Sequence, residues 1–290
     1  SSTSRGLGDV YKRQGIRKLG YFMPYRYASD LDLTPESYPW LYKWFSCLSK
    51  EIFLETLKSF RPYLDDLRQI QFKNSKLSEP RWGQDWFPGL DAVAAYGLVR
   101  SLKPKTIIEI GSGHSTRFLL KAVTDGNIAT QVVCIDPEPR ATLKDLEVEF
   151  INQPIQLVDL NHLPQLQEGD ILFIDSSHLV VPSSDVDWIV NRLLPDLPSG
   201  VFIHFHDIFL PDPYPSLWSW RGYNEQIIVS GLLGGKRLKP IFSSYFMRKH
   251  ALSSIEETGF DWIKSPPGAI ESSLWPVSYT HLTLPTNREV

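Results

Sequence analysis

The sequence predicts an α/β fold, a doubly wound and mostly parallel sheet with an N-terminal helical extension. Three observations carry this expectation. From residue 106 onward, short runs rich in Ile, Val and Phe alternate with amphipathic stretches, the pattern of strand–helix–strand units. Those runs are apolar along their whole length, as strands covered on both faces must be. The first of them ends in a tight Gly111-Ser112-Gly113 turn and passes straight into a leucine-rich stretch, the layout of a ligand-cradling strand–turn–helix.

Taken in order, the first and last residues stand apart. Ser4–Gln14 and Val277–Thr286 can be encoded codon for codon by a transposon sequencing adapter and its reverse complement. Residues 1–14 and 277–290 are therefore expected to be adapter-derived tails that pack poorly. Residues 15–89 form the helical extension, or a lid. Within it "PWLYKWFSCLSKEIFLETLKSF" places Leu41, Phe45, Leu48 and Ile52 on one helical face, continued by Phe53, Leu57 and Phe60. Trp40 and Trp44 read as packing residues. "LSEPRWGQDWFPG" breaks the pattern, and Trp82, Gln84, Asp85 and Trp86 in it are candidates for a lid over the ligand or for the core.

Residues 90–276 form the α/β domain. A helix over 91–102 takes Asp91 as its N-cap. Strands are expected at Thr106–Ile110, Gln131–Ile135, Val148–Ile151, Ile171–Ile174 and Val201–His206. Helices are expected at Thr116–Val123, Ala141–Leu146, Asp185–Leu194 and Asn224–Leu233. "PIFSSYFMRK" reads as a further strand and Phe260–Ile263 as a last short one.

Without the two tails the chain keeps 26 basic and 31 acidic residues, with no basic block. That mild acidity excludes nucleic acid as the expected partner. No apolar run reaches membrane-spanning length, so no membrane partner is expected. Cys47 and Cys134 are the only cysteines, too few for a disulfide framework, and the cytoplasm is the expected compartment. Oligomeric state is not legible.

In an open parallel sheet, ligands bind beyond the carboxyl ends of the strands. Gly111 and Gly113 sit at such an end, where missing Cβ atoms let backbone approach a ligand, and Ser115 can cap the helix that follows. Glu109 lies just before the turn, and Asp136 ends the second strand, where a carboxylate can accept both hydroxyls of a ribose. A dinucleotide site would need a third glycine at the position held by Thr116. That disfavours a nicotinamide-dependent oxidoreductase, and "GSGHS" lacks the G-x-S-x-G elbow of a serine hydrolase.

The stretches "EIGSGHST", "CIDPEP", "ILFIDSSH" and "GVFIHFHDIFLP", followed by "YNEQ", resemble in order the motifs of class I S-adenosylmethionine-dependent methyltransferases, which have a Rossmann-like fold. The likeness is greatest to a bacterial small-molecule group called methyltransferase-24-like, over roughly residues 80–245. It implies S-adenosyl-L-methionine as cofactor, held by Glu109, Gly111, Ser112, Gly113, Asp136 and Asp175. It also implies a small-molecule acceptor, whose hydroxyl receives the methyl group.

The second half of such a site is expected where strands four and five end. Asp175 closes one, followed by Ser176, Ser177 and His178; His206 and Asp207 close the other. His178 or His206 can serve as general base. Alternatively, Asp175, His206 and Asp207 can hold a divalent cation such as Mg, although related metal sites usually carry Asp-Asn or Glu-Asp where this chain has His-Asp. His204 reads as a structural residue, and His162 and His250 as surface residues. Arg221, Tyr223, Asn224 and Glu225, after a proline-rich loop, are candidate acceptor contacts, Asn224 equally a helix cap. A non-catalytic protein that keeps the cofactor pocket is the remaining alternative.

Overall fold

Thr106–Ile110 forms β1, the centre of a seven-stranded sheet, in a computed structural model that describes residues 26, 27, 29, 30, 36–73, 76, 78–139, 141, 143 and 146–279. The chain divides into a short unit, Ser1–Glu36, and a main unit, Ser37–Val290. All elements below belong to the second. The other strands are β2 (Gln131–Ile135), β3 (Glu149–Ile151), β4 (Ile171–Ile174), β5 (Phe202–Phe205), β6 (Leu238–Ser243) and β7 (Leu274–Ser278). Their order is β3-β2-β1-β4-β5-β7-β6, and β7 alone runs antiparallel to its neighbours. The order reverses between β1 and β4, which opens the crevice that parallel sheets offer to ligands.

The register decides what lines that crevice. Ile110 pairs with both Ile135 and Ile174, and Ile174 pairs with Phe205. The residues that follow, Gly111, Asp136, Asp175 and His206, therefore emerge side by side from the carboxyl edge. The ladder continues one step into them: Gly111 N donates to Ile135 O (2.9 Å), Asp175 N to Ile110 O (2.8 Å) and His206 N to Ile174 O (3.0 Å). Four chemically distinct residues are thus fixed in a row by backbone bonds.

Helices cover both faces. α1 (Pro39–Trp44) runs through a wide π turn at Phe45–Ser49 into α2 (Lys50–Ser59), and α3 (Leu64–Gln69) follows. The π turn inserts a residue into the 3.6-residue repeat. It rotates the expected face, so Leu48 is 68% exposed while Ser49, Phe53, Leu57 and Phe60 are buried. Phe45 and Phe53 pack edge-on against Phe246 at 5.6 and 5.8 Å. α4 (Gly89–Leu102) is buried from Gly89 through Val99, as an apolar helix must be. α5 (His114–Asp125) follows β1. α6 (Asp185–Trp188), α7 (Glu225–Gly234), α8 (Ser244–His250) and α9 (Leu252–Glu256) complete the set described here.

Several expectations need correction. Asp185–Leu194 is α-helical only through Trp188, then widens into a π turn at Ile189–Leu193. Of Ala141–Leu146, residues 141, 143 and 146 are described and none is helical; the others lie outside the described residues. "PIFSSYFMRK" is a strand only to Ser243, whose hydroxyl accepts from Phe246 N and caps α8. Phe260–Ile263 is not a strand. The last strand is β7, and it crosses the boundary expected after residue 276: Val277 pairs with Phe202, and the Ser278 hydroxyl donates to Pro198 O at 2.6 Å. The remainder of that tail from residue 280, and Ser4–Gln14, lie outside the described residues.

Candidate functional site

The turn after β1 depends on one glycine. Gly111 has φ +81, and a Cβ there would lie 2.0 Å from the Asp175 carbonyl oxygen, so strands β1 and β4 can close only around a bare backbone. A Cβ on Gly113 would meet nothing within 4 Å. Beneath the turn, Glu109 is fully buried. Its two carboxylate oxygens accept from the Ser115 and Thr116 hydroxyls, each at 2.6 Å. Thr116 Oγ1 also accepts from Gly113 N (3.0 Å), so the residue that replaces a third glycine ties the turn to the helix. Burial pushes the Glu109 carboxyl up to about 7, against the hydrogen bonds of Ser115, Thr116 and Cys134. Ser115 therefore does not cap α5; it serves Glu109.

A cavity of about 370 Å³ opens beside this turn, lined by Gly111, Ser112, Asp136, Pro137, Ile155, Asp175, Ser176 and Ser177 among others. Asp136 is oriented by two backbone donors, Ser112 N on Oδ2 and Glu138 N on Oδ1, both at 2.7 Å. Ser112 Oγ is buried beneath the cavity wall, beside the Cys134 thiol. Ser112, Gly111, Asp136 and Asp175 thus line the cavity. Glu109 and Gly113 do not: the first lies under the turn with both oxygens engaged, the second faces open space.

Asp175 forms the border with a second group of charges. Its Oδ1 lies 3.3 Å from His178 Nε2 and 3.6 Å from His206 Nδ1. Asp207 lies 3.4 Å from each imidazole, through Oδ2 to His178 and Oδ1 to His206. His178 Nδ1 pairs with Glu225 Oε2 at 2.8 Å, and Asp91 stands 3.6 Å from His206 Nε2. Burial alone would lower both imidazoles. The hydrogen bonds of Asp175 and Glu225 outweigh it at His178, and the charges of Asp207 and Asp175 outweigh it at His206. Both histidines are raised well above 6.5. The same pairing holds Asp175 well below the usual carboxylate range, although its burial acts the other way. His178 (φ 60) and Asp207 (φ 54) also occupy left-handed backbone, a strain that clusters at working sites.

The four residues expected to carry the chemistry, Asp175, His178, His206 and Asp207, are brought together. As a cation site they fit poorly. Asp175 Oδ1 is shared by two imidazoles, and among the described residues no group of three or more His, Cys, Asp or Glu is arranged to hold a metal ion. Two residues gain a different role. Asp91, expected as a cap, is buried inside α4, where it accepts from Ser272 N, Ser273 N and the Ser244 hydroxyl. A lone carboxylate in the apolar run "GLDAVAAYGLV" was the available signal, because a buried charge needs partners. Glu225, expected to touch the acceptor, instead orients His178. Asn224 Oδ1 accepts from Val180 N (2.6 Å) rather than capping α7, which holds the 178–180 loop. His204 stacks on Phe173 at 3.7 Å and bonds Ser273, a structural role. His162 is exposed, whereas His250 is mostly covered and pairs with Asp212 at 2.8 Å.

A second cavity, about 170 Å³, lies on the far side of His206 and Asp207. Asp85, Trp86, Trp218, Arg221, Gly268, Ala269 and Ile270 complete its walls. Trp82 and Gln84 do not reach either cavity. Trp82 packs on Phe118 and Trp262, and Gln84 Oε1 accepts from Phe87 N.

Residues 108–208 match a family profile described as a methyltransferase domain. An uncharacterized protein of Archaeoglobus fulgidus is 29% identical over 140 residues; the match takes in 43% of this chain and spans 59% of that relative's length. Among solved structures, the SAH-bound Podospora anserina methyltransferase PaMTH1 aligns at 16% identity and TM-score 0.41, over 90% of this chain and 100% of that one. The plantazolicin methyltransferase BpumL, in complex with a triazolic desmethylPZN analog and SAH, aligns at 13% identity and TM-score 0.42, over 80% and 100%. The strand order with β7 antiparallel is that of the class I methyltransferase fold. No helix of the described residues is long and apolar enough to cross a membrane.

Proposed function

We propose, from a chain whose residues 108–208 match a methyltransferase domain profile, that the protein transfers the methyl group of S-adenosyl-L-methionine to a hydroxyl of a small molecule or glycoside. One observation carries this reading. Gly111, Asp136, Asp175 and His206 stand in a row, with a cavity on either side of the Asp175–His206 contact. The first cavity suits the cofactor. Asp136 can accept the ribose hydroxyls, and no Cβ intrudes at Gly111. When bound, the cofactor supplies an electrophilic methyl on a sulfonium.

The residues of the chain then position the acceptor and manage its proton. Asp175 and Asp207 fix the two imidazoles, and His206, which lines the second cavity with Asp91 behind its Nε2, is the imidazole that would serve the acceptor hydroxyl. Because His206 is raised above 6.5, it holds a proton at neutral pH and becomes a base as pH rises. Transfer should therefore accelerate with pH and level off once His206 is neutral. Proximity and orientation supply much of the remaining acceleration. A chelator separates this scheme from the cation alternative: activity that survives full metal removal supports the imidazole.

Calorimetry with S-adenosylmethionine, its demethylated product and NAD tests the reading. Binding of the first two is the expected result; binding of NAD alone contradicts it.

A further inference from the structure

We infer that the second cavity selects an acceptor built on a single aromatic ring that carries a carboxylate, with Arg221 as the residue that reads the charge. This rests on the methyltransferase reading above and names its substrate class.

Arg221 is held by aromatic neighbours. Its guanidinium carbon lies 4.4 Å from the ring centroid of Trp218, 5.1 Å from Trp220 and 5.3 Å from Tyr223, and Nη1 donates to Tyr223 Oη at 2.8 Å. Three aromatic faces and a phenol thus fix the fork in one orientation, which removes much of the entropy cost of ordering an arginine on binding. Among the described residues, no carboxylate forms an ion pair with Arg221, and its Nε is buried without a hydrogen-bond partner. A planar guanidinium held in the wall of a cavity matches a carboxylate.

The rest of the cavity describes what carries that carboxylate. Trp86 and Trp218 supply indole rings, and Ala269 and Ile270 supply apolar surface. Its volume of about 170 Å³ is below the ~300 Å³ at which drug-sized pockets begin, so one ring fills it. His206 and Asp207 line the same cavity, so a hydroxyl on the ring would meet them while the carboxylate meets Arg221. Asp85, also in the wall, offers the opposite preference: a cationic aromatic acceptor would use it in place of Arg221.

The test compares 4-hydroxybenzoate, phenol and 4-hydroxybenzylamine as acceptors for the full-length protein saturated with S-adenosylmethionine, with binding of S-adenosylhomocysteine measured in parallel. The expected result is a preference for 4-hydroxybenzoate, lost in Arg221→Gln by about ten- to a hundredfold in KM, the range for one charged hydrogen-bonding partner. The KM for phenol and the affinity for S-adenosylhomocysteine should stay unchanged, which also shows that the variant folds. Arg221→Lys, which keeps the charge but not the fork, should recover only part of the preference. Equal use of phenol, preference for the amine, or a loss in Arg221→Gln that is the same for all three probes would overturn the inference. If S-adenosylhomocysteine itself fails to bind, the methyltransferase reading falls; if it binds and the acid is not preferred, only the acceptor assignment falls.

Discussion

The two sides of Asp175 are built by different means. On the cofactor side Gly111, Ser112 and Asp136, three of the groups that line the cavity, are held by backbone: Ser112 N and Glu138 N orient Asp136, and Gly111 brings two strands into contact. On the acceptor side the groups come from residues 85–91, 175–178, 206–207, 218–225 and 268–272. They are held by side-chain charges, with Glu225 on His178, Asp91 near His206 and Ser272 on Asp207. A site made from backbone geometry tolerates side-chain change except where space is lacking. A site made from buried charges depends on every partner.

That contrast can be broken in order of expected effect. Gly111→Ala should be the most damaging change on the cofactor side. Its Cβ meets backbone rather than a movable side chain, and crowding plus positive-φ strain should cost about 2–6 kcal/mol in urea unfolding. Gly113→Ala, one turn position away, should cost less than about 1 kcal/mol, since its Cβ enters open space. Similar losses for both would mean that steric room is not what distinguishes them.

On the acceptor side, Glu225→Ala leaves a buried imidazole without its closest carboxylate and should destabilise by about 3–5 kcal/mol. Activity should fall with it, while Glu225→Gln keeps a hydrogen-bonding partner and should lose less. The sign of the pH dependence follows from the shifts. His178 and His206 are raised, so their contribution is complete below about 6.5 and fades as pH climbs through their higher folded values. Asp175 is lowered, so its contribution is complete above about 3.8 and fades as pH falls below that. Urea midpoints of the wild type and His178→Gln should therefore differ most between about pH 4 and 6.5, and converge as pH rises through the raised folded value of His178. A difference that grows toward alkaline pH would contradict the assigned charges.

What was legible in the sequence follows the same division. β1, β2 and β4, the Gly111 turn and Asp136 could be read because each is set by local pattern. The clustering of Asp175, His178, His206 and Asp207 came from the ends of two strands. The partners from outside were hidden. Asp91 resembles a helix cap by position, Ser272 and Ser273 carry no pattern, and Glu225 sits at a helix start where acidic residues are ordinary. β7 escaped notice because Pro276 interrupts it and its antiparallel pairing with β5 and β6 has no local signature. The misplaced Leu48 has a single cause, the π turn at Phe45–Ser49, which periodicity cannot anticipate.

The most direct test of the account is a paired measurement of S-adenosylhomocysteine affinity and turnover at saturating cofactor in Asp136→Ala and His206→Ala. The account predicts that Asp136→Ala weakens affinity by about tenfold or more with turnover largely kept, and that His206→Ala lowers turnover with affinity kept. The reverse pattern, or a joint loss of both quantities in two folded variants, would contradict the division of the site at Asp175.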